Sequence, residues 1–240
     1  MSVEEPVPEH LPETKRKRGR GVGAVYETLR HEILDLTLEP GSPIDEVKLA
    51  ERFGISRTPI REAMVKLAGE GLIVTLPNRF TIVAPIDFPN LPQFFDALSL
   101  MYRVTTRLAA ANRTADELAR IRELQNGYTN AVEARDVPAM IEVNRNFHAQ
   151  IARAGKNRYY AELFERLLDE GRRLARFYYS SFNDDLPRIY LQEHEDMVAA
   201  IERQDIEAAD RVAQAHAEQI VRQIQAYITE DRRLNATMTL

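Results

Sequence analysis

The chain has 240 residues, of which 44% are hydrophobic and 29% charged, with a formal net charge of −5 and no cysteine. That length suits one large domain or two modest ones, and the missing thiols exclude disulfides and thiolate metal sites, leaving His, Asp, Glu and Asn as ligands. No apolar run approaches the roughly 20 residues of a membrane helix, and the segment MSVEEPVPEH has no apolar core of a secretory signal, so a cytoplasmic protein with no membrane contact is expected.

Residues 1–22 read as a disordered tail, acidic and proline-bearing first, then basic at Lys15, Arg16, Lys17, Arg18 and Arg20. Such a run serves either as a solvated, mobile arm or as an arm that touches DNA phosphates or the minor groove. From Ala24 the pattern turns helical, with Val25, Leu29, Ile33 and Leu36 on one face and Pro40-Gly41 as a stop. A second helix runs from about Asp45 through Leu49 and Phe53 to Gly54. A third follows Ser56, an N-cap residue type, with Pro59 in its first turn, and continues through Ile60, Met64 and Leu67 to Gly71. Leu72-Ile73-Val74 and Thr81-Ile82-Val83 are β-prone runs around Pro77-Asn78 and predict a hairpin. Three helices and a hairpin over residues 23–84 spell a winged helix-turn-helix, followed by a proline-bearing linker at 85–92.

Beyond the linker there is no strand signal. Amphipathic stretches near 93–112, 115–135, 137–154, 158–182, 186–203 and 205–230 predict about six helices, separated by turns at Arg135-Asp136, Gly155-Lys156-Asn157 and Asp184-Asp185. The expected fold is mainly α, the winged helix-turn-helix leading into an antiparallel all-α bundle over 93–230, with a tail at 231–240.

The run from Asp45 to Ala63 carries the functional argument. Leu49, Ala50 and Phe53 can pack the first helix of the pair, and Gly54 permits the positive φ of a tight inter-helix turn. With Ile60, Ala63, Met64 and Leu67 pointing inward, Arg57, Thr58 and Arg61 fall on the opposite side near the helix N-terminus. A recognition helix needs donors there, because its first residues enter the major groove, and Arg pairs bidentately with guanine. The net charge of −5 does not oppose this reading, since the relevant positive charge is local.

Over residues 24–84 the chain resembles the GntR family of bacterial regulators, most closely at Leu38-Glu39-Pro40-Gly41, Leu49-Ala50-Glu51-Arg52 and Ser56-Arg57-Thr58-Pro59-Ile60-Arg61-Glu62-Ala63. The resemblance implies that the motif of Arg57, Thr58, Pro59 and Arg61 binds DNA and that the wing reaches a neighbouring groove, with Arg79 as its candidate contact. Where many relatives have Gly in the wing, this chain has Phe80.

Three of the five histidines lie in the helical half. His148 follows Asn144 by one turn, so both project from one face; His194 and His216 fall on the inward stripes of their helices. A single buried histidine is more often a hydrogen-bonded core residue than a ligand. Three on separate helices with a carboxamide beside them favour a metal, and neutral imidazoles suit Zn, Ni, Cu or Fe.

The helical half also resembles the FadR-type C-terminal effector domain (FCD), at Asn144-Arg145-Asn146-Phe147-His148, Glu193-His194 and Ala215-His216. The resemblance implies a divalent cation, zinc or nickel, held by Asn144, His148, His194 and His216 and helping to hold a small carboxylate-bearing effector. Asn144 stands where Asp is usual, which leaves the site one charge more positive. Arg103, Arg172 and Arg176 suit a carboxylate, and Tyr102 and Tyr179 could wall the cavity; Leu98 and Tyr102 stand where Arg and Glu often occur. About six helices look like the shorter, VanR-like branch.

Together these readings predict a ligand-responsive transcription regulator, a repressor, binding a palindromic operator as a homodimer. Two other functions explain fewer residues. One is a constitutive DNA-binding protein with an inert helical dimerisation domain. The other is a His-site metalloenzyme, for which no His-Glu-x-x-His or telling carboxylate pair is present; no enzyme is expected.

Overall fold

The computed structural model describes residues 13–77 and 80–230, with side chains from residue 21 onward. The chain divides into two compact units, Met1–Ile86 and Asp87–Leu240.

In the first unit α1 (Glu13–Leu34) starts inside the segment expected as a tail. Its core-facing residues Val22, Val25, Leu29 and Ile33 are buried and anchor the helix. The stretch before them is mostly Lys, Arg and Glu with no proline, and the helix reaches back to Glu13 across Gly19 and Gly21. Leu36 lies beyond the helix end, with φ 65°. Strand β1 (Pro43–Ile44) was not legible, because two residues cannot show an alternation.

The N-cap Asp45 of α2 (Glu46–Phe53) accepts from the backbone N–H of Val47 at 2.7 Å and of Lys48 at 3.2 Å. Gly54 ends the helix at φ 62°, the left-handed turn expected of it. Ser56 occupies the N-cap position of α3 (Arg57–Gly69), although its hydroxyl makes no capping bond. Strands β2 (Ile73–Thr75) and β3 (Thr81–Val83) form the expected hairpin, in register Ile73 to Val83 and Thr75 to Thr81. With β1 they make a three-stranded antiparallel sheet in the order β1-β3-β2. Leu29, Ile33, Ile60, Ala63, Leu67 and Val83 are fully buried at the centre of this unit.

The second unit is all helix among the described residues. A 3-10 turn at Phe88–Asn90 leads into α4 (Leu91–Asn112), so Phe88 and Leu91, within the expected linker, are buried. There follow α5 (Ala115–Glu133), α6 (Val137–Ala154), α7 (Arg158–Glu170), α8 (Arg172–Ser180), α9 (Arg188–Glu202) and α10 (Ile206–Glu230). Arg135, Lys156 and Asp184, all in the expected turns, have φ of 53°, 62° and 62° and reverse the chain there. Central helix α4 packs on α6, α7, α9 and α10, while α5 packs on α6 and α9.

The number of helices differs from the sequence expectation. The stretch 158–182 is broken at Gly171, so among the described residues seven helices replace six, and the helix number does not support the shorter branch. A Cβ at Gly171 would stand 3.1 Å from both the Leu167 carbonyl oxygen and Cζ of Phe94. That close approach favours glycine, which is also a poor helix former. Among the described residues no helix is long and apolar enough to cross a membrane.

Candidate nucleic-acid interface and metal centre

Helix α3 presents Arg57, Thr58 and Arg61 on its outer side, with the two arginine side chains 53% and 60% exposed. Pro59 does not join them. It is buried among the core residues of α3, because its position, one before Ile60, lies on the inward face, and it shapes the first turn. Glu46, the first residue of α2, ties the two arginines together. Its Oε2 accepts from Arg57 Nη2 at 2.8 Å and from Arg61 Nε at 2.8 Å. The Arg57 hydrogen bond is the larger cause holding the Glu46 carboxyl below its ordinary pKa, and Arg61 adds to it. Nothing in the local pattern marks Glu46, because the ion pair crosses between two helices. Arg79 lies outside the described residues.

In the helical unit α6, α9 and α10 bring His148, His194 and His216 together, buried to 1%, 1% and 4% exposure. One ring nitrogen from each lies within 4.8 Å of the others. The ring centroids are 4.9 Å apart for His148–His194, 5.3 Å for His148–His216 and 4.9 Å for His194–His216. Aromatic neighbours hold the rings: Phe147 stacks on His194 at 4.6 Å, and Tyr102 meets His148 edge-on at 4.8 Å and His216 at 5.3 Å.

Polar partners fix two of the tautomers. His216 Nδ1 donates to Glu193 Oε2 at 2.8 Å, and His194 Nδ1 to Gln125 Oε1 at 3.1 Å. Each ring therefore turns its Nε2 away from the partner, the usual support of a metal-bound histidine. Nε2 of His148 and of His216 is buried without a hydrogen-bond partner. Leaving a buried polar atom unsatisfied costs about 1–3 kcal/mol. Burial first, then the neighbouring histidines, holds the His148 pKa well below its usual value; burial and His216 do the same for His194. Both are neutral at pH 7, the form that ligates a metal. Three converging imidazoles, two of them held neutral by burial, fit a divalent cation, with His148, His194 and His216 as the residues that could hold it.

Beside this cluster lies a cavity of about 60 Å³, lined by His194, His216, Asn144, Tyr102, Tyr179 and Arg172 together with aliphatic and further aromatic side chains. A water needs about 10–15 Å³ of such space, so the cavity holds several waters or a small organic group. The other two candidate arginines are elsewhere. Arg103 pairs bidentately with Asp210 at 3.0 and 2.8 Å, and Arg176 with Asp184 and Ser180 at 2.7 and 2.8 Å; neither lines the cavity. Helical spacing gave both an inward reading, but each is satisfied by an acid on or beside its own helix surface.

Known families match both units. The profile of the FCD domain matches residues 93–219, and that of the bacterial regulatory proteins of the gntR family matches residues 22–83. The chain is a GntR-family regulator with an FCD domain. It is a DNA-binding transcriptional regulator. It is 28% identical over 204 residues to the HTH-type transcriptional repressor RspR of Escherichia coli K12, covering 83% of this chain and 88% of that one. To the HTH-type transcriptional regulator McbR of the same strain it is 26% identical over 183 residues, covering 76% and 83%. The solved structure of E. coli McbR/YncC shares its fold, with a TM-score of 0.71 at 24% identity over 86% of this chain and 98% of that one.

Several residues of this FCD domain have roles that the sequence does not assign. Gln125 and Glu193 orient the histidines, and Tyr128, Tyr178, Tyr190 and Arg145 join the cavity wall. Glu193 directly precedes His194 in sequence, yet its partner is His216, 23 residues away. Tyr128 hydrogen-bonds the Tyr179 hydroxyl at 3.0 Å, and burial raises the pKa of both phenols, keeping them neutral donors.

Proposed function

We propose that this regulator is a metabolite-responsive repressor whose helical domain holds a divalent metal through His148, His194 and His216, with Asn144 beside them, and binds a small carboxylate there. The observation that carries the reading is the buried histidine triad with two unpartnered Nε2 atoms. Imidazole nitrogens without thiolate favour zinc or nickel. When bound, the ion supplies a positive centre for an anionic oxygen. Tyr102, Tyr179 and Arg172 bound the same cavity and are the effector contacts in this reading. No carboxylate among the described residues lines that cavity, which supports a binding role over an enzyme's general-base chemistry.

On the DNA side Arg57 and Arg61 read base edges, and Thr58 joins them or the phosphate backbone; Arg79 contributes from the wing. A homodimer places two such helices on a palindromic operator. The effector acts by binding one DNA-affinity state more tightly than the other. Such a regulator works in the cytoplasm.

Thermal unfolding of zinc-loaded and chelator-stripped protein, each with a panel of small organic acids, tests the effector half. A ligand at 100 times its Kd adds about 2.7 kcal/mol, a shift of several degrees. An acid that stabilises only the zinc-loaded form and changes operator affinity supports the proposal. Identical curves for both forms, with every acid silent, return the histidines to the core and leave a constitutive DNA-binding protein.

A further inference from the structure

The side chain of Arg172 is buried, and its Nε has no hydrogen-bond partner among the described residues. Its outer edge is tied down: Nη2 donates to Glu142 Oε2 at 2.6 Å, and Glu142 also accepts from Asn146 Nδ2 at 3.1 Å. Arg172 thus lines the cavity that His194, His216 and Asn144 also line, with one donor unused. Arg145 borders the same space, but its Nε and Nη2 are taken by both oxygens of Asp169 at 3.0 and 2.9 Å. Leu98, Ile141, Leu174 and tyrosine rings also line the cavity, and no Asp or Glu among the described residues does.

A buried guanidinium with an unsatisfied N–H is costly, and a carboxylate oxygen is the partner that suits it. Asn144, which also lines the cavity, brings an amide and no negative charge. We propose that the effector is a short dicarboxylate: one carboxylate faces the histidine centre, an apolar spacer crosses the aromatic walls, and the second carboxylate accepts from Arg172 Nε. This rests on the reading of the cavity as the effector site and names the chemical class it takes.

Calorimetric titration of the zinc-loaded full chain with succinate and glutarate, against butyrate and valerate of equal chain length, tests it. Wild type is expected to bind each diacid about tenfold or more tighter than its monoacid partner, the scale of one charge-assisted hydrogen bond. In R172Q the diacid preference is lost, each diacid binding within about twofold of its monoacid partner. R172K keeps the charge that faces Glu142 and serves if R172Q does not fold; its diacid preference drops at least severalfold. A wild type with no diacid preference, or an R172Q or R172K variant that keeps it in full, overturns the Arg172 assignment alone. Silence of all four acids, with and without zinc, instead overturns the effector site on which it rests.

Discussion

The carboxylate of Glu46 holds the guanidinium of Arg61 at 2.8 Å, and the same oxygen holds Arg57. A residue from the first helix of the pair therefore decides where two donors of the second helix point. Both arginines are more than half exposed, so the clamp contributes little to stability; its effect falls on how the side chains meet DNA. Substituting Glu46→Gln removes one negative charge near the phosphates and frees both side chains. Binding to random-sequence DNA should strengthen, and the ratio of operator to random-sequence affinity should fall severalfold. Fluorescence anisotropy on both DNAs measures this, and an unchanged ratio would remove the clamp from any part in specificity.

Arg61 itself should behave as a base-reading residue. Arg61→Ala is expected to weaken operator binding by about 1–3 kcal/mol and to relax discrimination at one base position. A phosphate contact would instead weaken all sequences alike and lower the salt slope by about one. A salt titration on operator and single-base variants separates the two, and equal binding by mutant and wild type ends the assignment.

Which of these features were legible in the sequence follows from the range of the signals. The recognition helix was, because Ile60, Ala63, Met64 and Leu67 keep helical spacing and push Arg57 and Arg61 outward within eleven residues. The same spacing would have shown Pro59 as buried, had its inward register outweighed its place in the motif. The three histidines were legible because each sits on the apolar stripe of a long helix. Arg103 and Arg176 were not separable from Arg172, because periodicity places a side chain on a face and does not say which acid waits there. Asp210 and Asp184 take up the first two, while the half-exposed Glu142 holds only the outer edge of Arg172. Gly171, at the break, lies close against Phe94, 77 residues earlier, a contact beyond any local window.

The buried histidines make the metal-free protein sensitive to acid. The pKa values of His148 and His194 are depressed in the fold, so between those values and the unfolded value of about 6.5 the unfolded chain binds more protons. Stability therefore rises with pH in that window and is lost as pH falls below about 6.5. Two such groups give a slope of up to about 2.7 kcal/mol per pH unit. Denaturant unfolding of stripped protein at pH 7.5, 6.5 and 5.5 should show full stability at the first and a steep loss towards the last. Zinc should steepen the loss, because ligation needs neutral imidazoles. Equal stability across the three pH values would mean that these rings are not held neutral by the fold.

Asn144 separates metal affinity from effector affinity. It lines the cavity with His194 and His216 and lies one helical turn before His148, where a carboxylate would bring a charged oxygen ligand. Asn144→Asp adds one negative charge at the centre and a stronger donor to a hard or borderline cation. Zinc affinity, measured by competition with a chromophoric chelator, should rise at least about tenfold, which is 1.4 kcal/mol. Carboxylate affinity of the zinc-loaded variant should fall, since the new charge opposes the incoming anion. The two changes must run in opposite directions if both ligands share this wall. A gain in zinc affinity with carboxylate binding untouched would place the effector away from Asn144, and no change in either would remove Asn144 from the site.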